Sequence, residues 1–148
     1  MDLLKKIDQD LILALKSKDK IKSSVLRMLK SAITTVQKQG RENLSKDEVI
    51  KIISKEIAKR KEAGEMYKKA ERIEQAESEN QEMQILQTYM PEQLSSEDVK
   101  KIINNVISKT NAQGVADIGK VMKEVMSKVG GKADGSEVSQ IVRQKLSE

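Results

Sequence analysis

Seven residues near the end of the chain bring together the parts of an anion-binding loop. In Gly130-Gly131-Lys132-Ala133-Asp134-Gly135-Ser136, two adjacent glycines and a lysine precede a new helix. Exposed backbone N–H groups, the positive end of a helix dipole and a flexible cation are the means by which a phosphate is held. The candidate contacts are Gly131, Lys132 and Ser136, joined by Lys120 and Lys128 from the helix before the loop. The segment is not a Walker A loop, because Ala133 stands where Ser or Thr must follow the lysine. The same residues also make an ordinary glycine helix stop followed by an Asp134 or Ser136 cap, and both readings can hold at once. Gly119, beside Lys120, serves either the packing of a neighbouring helix or the approach of a ligand backbone. Lys120, Lys123 and Lys128 are spread around their helix and cannot all face one phosphate track.

The residue types that are missing narrow the chemistry further. The chain has no His and no Cys. It therefore lacks the usual general acid-base near neutral pH, the commonest metal ligand and the thiolate nucleophile, which argues against hydrolytic triads, disulfides and a metal centre. Carboxylate or lysine chemistry needs a dry, shaped pocket to shift a pKa, and an aromatic content of 1% leaves little to build one. No catalytic residue and no cofactor is assigned. Phe and Trp are absent and Tyr numbers two, so base-stacking recognition of a single strand is not supported. Any RNA partner would be recognised by shape and phosphate.

Charge is unevenly spread. Residues 1–64 hold 16 basic and 9 acidic side chains, residues 65–91 hold 3 and 6, and residues 92–148 hold 9 and 8. Lys51, Lys55 and Lys59 form a basic stripe at helical spacing, supplemented by Lys16, Lys18, Lys20 and Lys22. Like charges four apart repel by a few tenths of a kcal/mol unless a polyanion or nearby acids compensate. Glu48, Glu56 and Glu62 lie three or four residues away, so a solvated face is the plain alternative.

These residues must be carried on helices. Apolar residues recur at spacings of three and four, with no alternating runs, so the fold class is all-α. A first helix over 2–17 buries Leu4, Ile7, Leu11 and Leu15. A second, capped by Asp19 and stopped by Gly40, points Ile21, Val25, Leu29, Ile33 and Val36 inward. The capping box Ser45-Lys46-Asp47-Glu48 opens a third helix, which either breaks at Gly64 or runs to Lys69 with Tyr67 packed. A fourth, with Ile73, Ala76, Met83, Leu86 and Tyr89, ends near Met90, ahead of the only proline, Pro91. Three shorter helices follow, capped by Ser95 or Ser96, by Asp117, and by Asp134 or Ser136. Met122 and Met126 are read as core filling rather than a partner groove. The expected organisation is an N-terminal four-helix bundle over 1–91 and a three-helix domain over 92–148. The N-terminal residues carry charge every few positions, and no apolar run approaches the ~20 residues of a membrane span, so a cytoplasmic protein without membrane contact is expected.

Three segments carry a resemblance to a known family. They are Val25-Leu26-Arg27-Met28-Leu29-Lys30, Tyr89-Met90-Pro91-Glu92-Gln93-Leu94, and Gly119-Lys120-Val121-Met122 followed by Gly130-Gly131-Lys132-Ala133-Asp134-Gly135. Together they are similar to the GatB/YqeY family over essentially the whole chain. The resemblance implies a helical bundle followed by a three-helix domain, like the tail of the B subunit of the glutamine-dependent aspartyl/glutamyl-tRNA amidotransferase. That enzyme converts misacylated Asp-tRNA or Glu-tRNA to its amide form. Related tails occur on some glutaminyl-tRNA synthetases, and the family's tail is associated with grasping tRNA. The activity label of the family, carbon–nitrogen ligation with glutamine as amido-N donor, belongs to the whole complex. Its ammonia-releasing subunit and cradle-shaped transfer domain have no counterpart here. The resemblance thus implies a tRNA-associated accessory protein that is non-catalytic alone, with tRNA, an aminoacyl-tRNA synthetase or an amidotransferase subunit as partner. The alternative is a helical adaptor that docks on a synthetase or amidotransferase without touching RNA.

Overall fold

The computed structural model describes residues 2–40 and 42–147. Among them are seven α-helices, two 3-10 turns and no strand. The chain divides into two compact units, Met1–Met90 and Pro91–Glu148. The first holds α1 (Leu3–Lys16), α2 (Lys20–Lys38), α3 (Lys46–Lys69) and α4 (Ile73–Gln87). The second holds α5 (Ser96–Thr110), α6 (Ile118–Val129) and α7 (Gly135–Leu146), with 3-10 turns at Val115–Asp117 and Gly130–Lys132. No helix among the described residues is long and apolar enough to cross a membrane.

In the first unit, short polar side chains set the starts of α1, α2 and α3, whereas α4 follows Arg72 without a side-chain cap. Asp2 accepts from the Leu4 N–H at 3.2 Å and Asp19 from the Lys22 N–H at 3.0 Å. Ser45 and Glu48 exchange both bonds of the capping box, at 3.2 and 3.3 Å. Each cap stabilises its helix by about 1 kcal/mol. Left-handed residues, Lys18 and Glu71, both at φ 60°, close the turns after α1 and α3. Ile7, Leu26, Leu29, Ile53 and Leu86 are fully buried at the centre. Each contributes about 1.5–3 kcal/mol through its apolar burial.

Periodicity misplaces some side chains. Leu15 and Ile21 are 45% and 44% exposed, and Ile73 is 54% exposed. All lie in the last or first turn of their helices and are only partly covered there, although periodicity places them inward. Ala14 is buried instead of Leu15, continuing the stripe of Ile7 by two turns. The fourth helix stops at Gln87 rather than near Met90. Thr88 turns its hydroxyl onto the Ile85 carbonyl at 2.7 Å, and Tyr89 packs from the turn. Helix α3 passes unbroken through Gly64, which lies against α4: a Cβ there would stand 3.6 Å from the Glu79 Cβ. Beneath this stretch Arg60 donates to Glu56 Oε2 at 2.9 Å and to the Glu56 carbonyl at 3.0 Å. The two side chains are only 5% and 8% exposed, so the pair is a buried one.

The second unit is a three-helix bundle whose core is dominated by valine: Val99, Val106, Val121, Val125, Val129, Val138 and Val142, with Ile103, Leu146 and Ala133. Valine is stiff at χ1 in a helix, so this core loses little rotamer freedom as it packs. Ser95 caps α5 by accepting from the Asp98 N–H at 3.2 Å, and Asn111, left-handed at φ 53°, ends it. Asp117 does not cap α6 with its side chain. A 3-10 turn precedes the helix, and the Asp117 carboxylate accepts instead from the Gln113 N–H at 3.0 Å. Met122 and Met126 pack half-buried against the core.

Candidate nucleic-acid interface

The candidate loop is a fixed corner between α6 and α7. Val129 is buried at the end of α6, and Gly130 reverses the chain at φ 55°, a left-handed value that suits glycine. The chain makes one 3-10 turn over Gly130–Lys132, then Ala133 returns an apolar side chain to the core. Two residues from the start of the unit clamp this corner. The Gln93 side-chain amide donates to the Gly131 carbonyl and to the Pro91 carbonyl, both at 2.9 Å. The Leu94 N–H donates to the Lys132 carbonyl at 2.7 Å. With these carbonyls engaged and Ala133 anchored, the backbone at Lys132 is held while its side chain is exposed.

Asp134 caps α7, its carboxylate accepting from the Ser136 N–H at 3.1 Å. The cap places a carboxylate at the helix N-terminus, so one of the amides that could have faced an anion is already engaged. The Ser136 residue is itself exposed. Next to it, Ser96 donates its hydroxyl to Glu137 at 2.9 Å, tying α5 to the first turn of α7.

Lys120 and Lys128 are both exposed on α6. Eight residues separate them, about 12 Å along the axis and about 80° around it at ideal helix geometry. Exposed Glu124 falls between them on that face and lowers the positive potential there. Gly119, at the start of the same helix, is exposed, and a Cβ added to it would meet nothing within 4 Å. Packing within the chain therefore does not require glycine at this position, which removes the packing explanation for its choice.

In the first unit Lys51, Lys55 and Lys59 are exposed along α3 as their spacing requires. Lys59 pairs with Glu56 at 3.3 Å, whereas Glu48 is engaged in the capping box. Lys16, Lys18 and Lys20 are exposed and Lys22 is half-buried. Among the described residues no group of three or more acidic side chains could hold a metal ion. The clamp made by Gln93 and Leu94 is not legible in the sequence, although both residues belong to the Tyr-x-Pro-x-Gln-Leu segment. A contact across 38 positions leaves no local spacing to read.

A family model described as Yqey-like protein matches residues 4–146. An uncharacterized protein of Schizosaccharomyces pombe is 33% identical over 90 residues, which make up 61% of this chain and 73% of that protein. A glutamyl-tRNA(Gln) amidotransferase subunit from Thermococcus gammatolerans is 39% identical over 59 residues. Those residues are 37% of this chain and 9% of the archaeal protein.

Proposed function

The chain belongs to the Yqey-like protein family, and on that premise we propose that it is a tRNA-associated accessory protein, non-catalytic alone, which works with a tRNA-charging or tRNA-amidating enzyme. The observation that carries this reading is the 39% identity to a tRNA amidotransferase subunit. The short share of that protein covered favours a binding part over the reaction itself.

The corner between α6 and α7, together with the exposed residues along α6 that lead to it, supports the same reading. Lys120, Lys128 and Lys132 contact phosphates as exposed cations, Ser136 adds a hydroxyl, and Gly119 and Gly131 leave the backbone bare for close approach. Binding of this kind is sequence-tolerant and steeply salt-dependent.

Filter binding of total tRNA over a salt series tests it. The expected result is retention at low salt, with replacement of Lys120, Lys128 and Lys132 by Ala lowering affinity and reducing the log–log salt slope by about 2–3. Absence of retention at low salt, or retention unchanged in the triple variant, would overturn the RNA-contact assignment. Partners captured equally well after nuclease digestion would favour the protein-docking adaptor instead.

A further inference from the structure

The far end of the α3–α4 hairpin lacks a core of its own. No residue of α3 beyond Arg60 is buried, and none of α4 before Leu86. Two helices alone bury too little apolar surface to hold a hairpin of this length, and such hairpins in water ordinarily find a third or fourth helix. Between the two helices runs a groove of about 360 Å³, lined on the α4 side by Ile73, Ala76 and Met83 and floored near Gly64. Ile73 is 54% exposed there.

The charges identify what covers it. Helix α4 carries Glu74, Glu77, Glu79 and Glu82 and has no basic residue between Ile73 and Gln87. The facing stretch of α3 ends in Lys68 and Lys69. The groove has Arg60, Lys61 and Lys68 with a single acid, Glu65, on its α3 wall, and Glu77 on its α4 wall. An acidic helix beside a basic-ended one is complementary to the same pair rotated by a two-fold axis, which sets each α4 against the other copy's α3. A polyanion does not fit, because Glu65 and Glu77 line the groove and every charged side chain of α4 is acidic.

We propose that the α3–α4 arm is a self-association surface, on which a second copy of this chain lays its own arm to complete a four-helix bundle with Ile73, Ala76 and Met83 at its centre. Lys68 of each copy then faces Glu77 of the other. The inference is independent of the RNA reading, since it uses only residues of the first unit.

Sedimentation velocity of the full chain, from micromolar to hundreds of micromolar, should show a reversible dimer. Ile73→Glu alters a side chain already exposed in one copy, so it should leave thermal stability of the dilute chain unchanged while weakening the dimer at least about tenfold. Lys68→Glu and Glu77→Lys should each weaken it, by about tenfold, because two symmetric contacts become repulsive at once. Mixing those two single variants should restore association, since both contacts between unlike copies are again opposite in charge. A wild-type chain that stays monomeric throughout would overturn the proposal. So would a dimer indifferent to Ile73→Glu and to both charge reversals, or charge reversals that fail to rescue one another on mixing.

Discussion

Tyr89 donates its hydroxyl to Asp10 at 2.5 Å, joining the turn after α4 to the middle of α1 across 79 positions of sequence. Lys6 lies 5.6 Å from the centre of the same ring. Burial, followed by the hydrogen bond and charge of Asp10, holds the phenol well above its ordinary pKa of 10.0. The folded chain thus favours neutral Tyr89. Its stabilising contribution is complete below the unfolded value near 10 and is lost as pH rises through the higher folded value. Tyr89→Phe keeps the ring and removes the donor, with an expected loss of about 1–2 kcal/mol by chemical denaturation. Phenolate absorbance in an alkaline titration should show Tyr89 ionising at lower pH in Asp10→Asn than in the unaltered chain.

Arg60 and Glu56 form a buried pair, and the Arg60 Nε has no partner among the described residues. An ion pair in this state stabilises little as a whole, yet breaking it strands a charge. Arg60→Met should therefore destabilise by about 3–5 kcal/mol, moderated by Lys59 at 3.3 Å from the same carboxylate. Adding Glu56→Leu to Arg60→Met should recover most of that loss in the same denaturation measurement.

Gln93 is a positioning residue for the corner at Gly131 and Lys132. Gln93→Ala removes two donors at an exposed site, so the effect on global stability should stay within about 1 kcal/mol. Amide exchange should nevertheless quicken between Gly130 and Ala133, and tRNA retention should fall without any change in the charge-dependent salt slope. Unchanged exchange at the corner would show that Leu94 alone holds it.

Gly119 separates stability from binding. It is helical, exposed and surrounded by open space, so Gly119→Ala should stabilise the second unit by about 1 kcal/mol. If a phosphate backbone approaches there, the added methyl lowers tRNA affinity even as the melting temperature rises. A variant that is both more stable and equally well bound would remove Gly119 from the interface.

Helix starts at Asp19, Ser45, Ser95 and Asp134 are legible in the sequence because capping is local: the acceptor and its N–H lie two or three residues apart. The role of Asp117 is not, since it depends on a 3-10 turn that no spacing announces. Periodicity tells which side of α1, α2 and α4 faces inward. It cannot tell that Leu15, Ile21 and Ile73, in the end turns of their helices, stay about half exposed. The exposed lysines of α6 are equally legible. What holds Lys132 in place is not, because the clamp comes from Gln93 and Leu94, far away in sequence. Spacing alone makes Glu56 a surface partner of the lysine stripe; in the folded chain it is buried and serves Arg60 as well as Lys59.

The placement of Tyr89 also gives the molecule a reporter confined to one half. There is no Trp, and the two tyrosines, Tyr67 and Tyr89, both precede Pro91. Near-ultraviolet absorbance and emission therefore follow the first unit alone, while the valine-cored second unit contributes only to the far-ultraviolet helical signal. A melt recorded at both wavelengths resolves the two halves without a label, and coincident curves would mean that they unfold as one cooperative body.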